Sequence, residues 1–304
     1  HQQTGLAGCY SSDEYERGII KRHERTRADK EDDRTRHIVT VGAQTGIAFL
    51  TYRAPEEIAA LEARACEDVP LFDITAPDGV RHMVWRLTDA DQEAVVKALT
   101  RVTTLYIADG HHRIGAMQHI KKINPLIERF MIAAFPSNEC KIFDYNRVIK
   151  DLNGLSKDQF IKNLSNDFKV LKVDNAYKPL TKNEFGMYHD NQWYILEFIN
   201  SLTSNNFIDA LDINILNQFC LTKMLNIKDV NNDERIRFIA GCHGLSALEK
   251  KVDENPDSVA FSIFPSNISD VMRVADNNLT MPPKTTWFDP KPLDGLVVYE
   301  FDQN

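Results

Sequence analysis

Asparagine is missing from the first 117 residues, whereas residues 118–304 hold 22. An even spread would put roughly eight in the first part. Basic usage changes at the same place, from 12 Arg and 3 Lys before it to 5 Arg and 16 Lys after it. A break of this kind near Met117 marks two segments of different base composition, joined or inherited as a mosaic. Cysteine is also scarce: Cys9, Cys66, Cys140, Cys220 and Cys242 show no C-x-x-C spacing. That excludes a disulfide framework and suits free thiols in a reducing cytosol, so a cytoplasmic protein is expected. No apolar run approaches the ~18 residues of a membrane span and no charged-then-apolar leader opens the chain, so no membrane partner is expected. Basic excess is lacking too, with 36 Lys and Arg against 44 Asp and Glu and a net charge of −8. A nucleic-acid surface, which needs a basic stripe, is thereby disfavoured. What remains is 43% hydrophobic and 26% charged over 304 residues. This is a globular chain with a packed core, in one large or two ordinary domains.

The most informative stretch is Leu105-Tyr106-Ile107-Ala108-Asp109-Gly110-His111-His112-Arg113-Ile114-Gly115-Ala116-Met117. Its apolar run suits a buried strand, Gly110 allows a close turn, and Ile114 and Met117 recur at helical spacing. The turn therefore opens a helix, where unpaired backbone N–H groups and the positive end of the dipole favour an anion. Arg113 adds a guanidinium fork, and His111 and His112 add imidazole donors, so the turn reads as a phosphate cradle. A polar turn whose histidines satisfy backbone groups fits the same residues. Consecutive helical residues point about 100° apart, so His111 and His112 do not chelate one ion, and His119 lies about 10 Å along the axis. No metal site of the protein's own is expected there.

From Lys21 to His37, 14 of 17 residues are charged or His. Such a run is usually a solvated helical face, with Asp29 a plausible N-cap. Its first part, Lys21-Arg22-His23-Glu24-Arg25-Thr26, is too polar for a core and has no Gly or Pro to make it a plain turn. His23 and Glu24 bring together the two side-chain types most used for proton transfer.

Elsewhere the chain alternates strand and helix signals. Strands are expected at 5–10, 47–52, 71–74, 80–87, 128–135, 144–151 and 295–301, with a hairpin of 185–188 and 193–198 about His189-Asp190-Asn191-Gln192. Helices are expected at 55–65, 91–102, 156–164 capped by Ser156, and 211–225. Gly241-Cys242-His243-Gly244 reads as a second strand-to-helix turn. A thiol there could be activated by the helix start, although a plain turn is the commoner case. Met281-Pro282-Pro283-Lys284-Thr285-Thr286-Trp287-Phe288 is a stiffened extended segment presenting an ammonium, hydroxyls and an aromatic face. As residues alone it suits a surface connection. The expected class is α/β (α+β), mixed sheets with flanking helices. Residues 1–135 form the lobe that carries the turn, and 136–304 a second α/β lobe closing over it.

Tyr106 to Arg113 resembles the DGHHR signature of the bacterial and archaeal family called domain of unknown function ten-fifteen, distantly related to the ParB/sulfiredoxin superfamily. The charged segments at 21–26 and 30–34, Phe143-Asp144-Tyr145-Asn146-Arg147 and the Met281 to Phe288 segment are its other landmarks. The resemblance covers nearly the whole chain and implies a further segment ahead of His1. It implies a ParB/sulfiredoxin-like nucleotide-binding core, and the superfamily includes nucleotide-dependent free serine kinases. On that footing the expected function is a kinase of a small hydroxylated metabolite such as free serine, using ATP or ADP with Mg²⁺. Gly110, His111, His112, Arg113 and Lys284 would bind phosphates. Glu24 would act as base, assisted by His23 and Asp109, while Arg34 and Thr286 would hold substrate. A nucleotide or phospholigand sensor without turnover, or a phosphoester hydrolase, would use the same cradle. The Gly244 that ends the second turn replaces the Arg of the sulfiredoxin-type motif it resembles.

Overall fold

A computed structural model describes residues 1–202 and 206–301. The fold is mixed α/β, and the chain divides into two compact units. The first comprises His1–Lys141, Met272–Thr280 and Pro290–Asn304, and the second Ile142–Val271 and Met281–Asp289. Among the described residues no helix is long and apolar enough to cross a membrane.

The first unit is built on a five-stranded sheet in the order Leu6–Ser11, Arg129–Pro136, Ala48–Tyr52, Leu105–Asp109, Ile20–Lys21. Its inner strands are apolar and buried along most of their length, as strands covered on both faces must be. Two pairings are parallel: Ala48–Tyr52 with Arg129–Pro136, and Ile20–Lys21 with Leu105–Asp109. The helices Ala28–Val41, Glu56–Ala65, Asp89–Leu99 and His111–Ile123 belong to the same unit. Each buries one apolar face: Ile38, Ile58, Val95, and Ile114, Met117 and Ile120 all join one cluster with Leu50, Ile107 and Ile132. Between Phe49 and Leu50 the pairing with Leu105–Asp109 shifts register, so the sheet is irregular where that strand ends. Such irregularities re-aim side chains at strand ends.

The second unit holds a six-stranded, wholly antiparallel sheet in the order Phe168–Val173, Gln192–Phe198, Glu184–His189, Val259–Ile263, Tyr145–Ile149, Ile236–Ala240. The expected hairpin closes through Asp190 and Asn191, whose φ values of 49° and 56° lie in the left-handed region that Asn and Asp tolerate. Ser156 caps Lys157–Leu164 in a full capping box with Gln159. The expected 211–225 helix is instead Asp212–Leu216 followed by a π-helical Asn217–Thr222. The final strand shrinks to Tyr299–Glu300, paired with Ala43–Gln44.

Glu62, on Glu56–Ala65, is an exception to the apolar pattern. It is 5% exposed, its Oε1 has no hydrogen-bond partner among the described residues, and burial together with Glu139 pushes its carboxyl up to about 8.

Two stability measurements follow from this packing. Ile132 is fully buried and Leu126 is 80% exposed. In urea unfolding, Ile132→Ala should cost about 2–5 kcal/mol and Leu126→Ala under about 0.5. The folded-state pKa of Glu62 lies above the unfolded value near 4.5. Its contribution is therefore complete below pH ~4.5 and is lost as pH rises towards ~8, a loss on the order of a few kcal/mol. Glu62→Gln should accordingly gain stability over the parent at pH 8 and not at pH 4; equal stabilities at both would refute the assignment.

Candidate functional site

The parallel register sets Ile20 beside Leu105 and Lys21 beside Tyr106. The chain that follows Lys21 therefore runs alongside Ile107–Asp109 and reaches the Gly110 turn. His23 arrives there 2% exposed, with a backbone hydrogen bond at Ile107. Gly110 takes φ 93° and ψ 27°, a left-handed conformation, and the His111–Ile123 helix starts directly after it without a side-chain cap. A Cβ on Gly110 would also stand 3.4 Å from the Ala48 backbone.

Three of the expected site residues meet here. Glu24 Oε2 lies 3.7 Å from His111 Nδ1, and the His23 and His111 rings sit edge to face with centroids 4.6 Å apart. His23, Glu24 and His111 each offer a ligand atom within 4.8 Å of the others, so the group could hold a metal ion. Burial pushes the His23 imidazole down to about 4. Burial, then neighbouring His23, His112, Arg22 and Lys291, hold His111 well below the usual histidine range. Both rings are thus neutral at physiological pH. His111, expected to bind phosphate, is 5% exposed and turns its ring towards His23 and Glu24. Its position as first residue of the helix, beneath the turn, is the reason.

The other groups of the turn are held by neighbours of the same unit. His112 Nε2 accepts the Arg27 backbone N–H at 3.2 Å, so that nitrogen carries a lone pair. Arg113 donates through Nη1 to the Ile47 carbonyl at 2.7 Å and through Nη2 to Asp294 at 2.5 Å. Gly46 makes room for this guanidinium, since a Cβ there would stand 2.9 Å from Arg113 Nε. Asp109 pairs with Lys291 at 2.9 Å. Asp294, Lys291, Ile47 and Gly46 escaped the sequence reading. Only Lys291, at the end of the proline-stiffened stretch, carried a local signal. The Asp294 carboxylate is 55% exposed and stands where an anion would pair with Arg113.

Arg34 is exposed on Ala28–Val41, a helix that starts after Arg27 instead of after Asp29. Lys284 and Thr286 belong to the second unit, where Lys284 has φ 56° and its Nζ lies 5.9 Å from the Tyr145 ring centroid. In the Gly241–His243 turn, burial, then Asp289, raise the Cys242 thiol, so the turn does not activate it.

Several solved structures are similar to this chain. SbnI with a C-terminal truncation, from Staphylococcus aureus, aligns with a TM-score of 0.50 at 10% identity, covering 95% of this chain and 85% of that one. A free serine kinase in complex with AMP gives 0.45 at 13% identity, covering 97% and 92%. A conserved hypothetical protein from Pyrococcus furiosus gives 0.42 at 13% identity, covering 97% and 94%. Comparison with curated proteins finds no match. The model of the family described as "Protein of unknown function (DUF1015)" matches residues 1–214, more than two thirds of the sequence, and the chain belongs to that family.

Proposed function

We propose that this protein is a nucleotide-dependent phosphotransferase acting on a small hydroxylated metabolite such as free serine. The observation that carries the reading is the 3.7 Å approach of Glu24 to His111, the first residue of the helix that opens at Gly110. A carboxylate thereby stands beside a helix start suited to phosphate. Phosphoryl transfer needs positioning, charge neutralisation and an acceptor for the hydroxyl proton more than covalent chemistry. Phosphate oxygens would take the N–H groups of the helix's first turn and the Arg113 fork, in the place now held by Asp294. An exposed pair such as Arg113–Asp294 contributes at most about 1 kcal/mol, so a multiply charged phosphate can displace it. Glu24, 37% exposed, would accept the proton of the substrate hydroxyl. His23 beneath it would fix its position. Asp109 is the oxygen donor at the turn for the Mg²⁺ that accompanies a nucleotide, and Arg34 is proposed for substrate.

A second reading is a nucleotide- or phospholigand-binding switch without turnover. The paired state of Arg113 with Asp294 and of Asp109 with Lys291 favours it, because ligand phosphates would exchange those partners.

Thermal-shift measurements with ATP and ADP test both readings. At a ligand concentration of a hundred Kd the stabilisation should be about 2.7 kcal/mol, and Arg113→Ala should remove it. Glu24→Ala should keep the shift while lowering nucleotide consumption with candidate alcohols about 10²–10⁴-fold. Turnover unchanged in Glu24→Ala would overturn the base assignment, and binding with no turnover of any alcohol would leave the switch.

A further inference from the structure

We infer that His23, Glu24 and His111 form a binding site for a divalent transition ion of the zinc class, separate from any Mg²⁺ brought by a nucleotide. The group offers two imidazole nitrogens and one carboxylate oxygen, all within 4.8 Å of one another. In a tetrahedral site with bonds near 2.0–2.1 Å, neighbouring ligand atoms lie roughly 3.4 Å apart. Closing the group by up to about 1.4 Å through side-chain rotation therefore completes three corners and leaves the fourth open. His23 and Glu24 are consecutive, which on a helix would point them apart, but they lie in a bend between Ile20–Lys21 and Ala28–Val41. His111 approaches from the start of another helix, so the donors converge from two segments.

The surroundings suit nitrogen coordination. A backbone hydrogen bond at Ile107 fixes the His23 ring, as an outer-shell carbonyl does for metal-bound histidine. His111, 95% removed from solvent, presents Nδ1 to Glu24 at 3.7 Å, and its other ring nitrogen, Nε2, is buried with no hydrogen-bond partner among the described residues. Arg22 and Lys291 act on His111 as positive charges, while Glu24 and Asp109 supply negative ones. A hard oxygen-seeking cation would find one carboxylate in the group and two nitrogens, which is why the ligand class is zinc rather than calcium or magnesium. An ion held there takes a lone pair of Glu24, so the loaded protein would lose the proton acceptor proposed above.

Cobalt(II) titration of the chelator-treated full chain, read by visible absorption, tests the site without reference to activity. The parent should develop the intense d–d bands of a four-coordinate ion, saturating at a single equivalent and reversed by zinc. Glu24→Gln should weaken binding, and His111→Ala should weaken it by more than about a hundredfold, beyond the usual loss for an outer-shell group. Circular dichroism reports whether each variant is folded. Glu24 is partly exposed, so its variant serves if the buried His111 change prevents folding. Arg113→Ala should bind cobalt as the parent does while losing the nucleotide shift, which separates this inference from the phosphotransferase reading. The absence of these bands in the folded parent, or equal cobalt affinity in a folded Glu24→Gln or His111→Ala variant, would overturn the proposal.

Discussion

The pairing of Ile20–Lys21 with Leu105–Tyr106 is two residues long, and the candidate site depends on it. Because the strands run parallel, the polar segment after Lys21 leaves the sheet at the same end as the segment after Asp109. Both reach the rim of the sheet together, one as a bend and the other as a glycine turn opening a helix. An antiparallel edge strand would have sent His23 and Glu24 to the opposite end. The apolar side chains of Leu105–Ala108, all buried, hold the inner strand, so the geometry at the rim rests on the core behind it.

Burial then divides the turn into an inner and an outer layer. His23 and His111 lie inside, neutral, with their rings in contact. Glu24, His112, Arg113 and Asp109 lie further out and are partly exposed. The outer charges are paired by residues of the C-terminal segment, Lys291 and Asp294. Opposite charges near water attract weakly, so these pairs balance the turn without locking it. The inner layer is different in kind: a buried imidazole that must stay neutral has few partners it can accept, and those it finds are fixed by the backbone.

Much of the local structure was legible in the chain. Ser156 announced a helix cap, His189-Asp190-Asn191-Gln192 a hairpin, and Gly110 a close turn into a helix; the structure adds the reciprocal Gln159 bond, the two left-handed turn residues and the left-handed φ of Gly110. Each signal works within a few residues, where steric limits on φ and side-chain hydrogen bonds to nearby backbone act without help from the rest of the fold. The errors fell where tertiary packing competes. The helix expected over 211–225 passes into a π-helical stretch in which Cys220 and Leu221 are fully buried. The expected strand over 295–301 keeps only the two residues that find a partner in Ala43–Gln44.

The sequence by itself determined the mixed α/β class, the strand–turn–helix at Gly110 and the residue types near it, because apolar periodicity and glycine's conformational freedom are properties of short segments. Only the tertiary structure decided that His111 faces Glu24 and His23 instead of solvent, that Arg113 meets Asp294, and that Asp109 meets Lys291. Those pairings join residues far apart in the chain. Their partners are selected by strand register and burial, which no local pattern of side chains specifies.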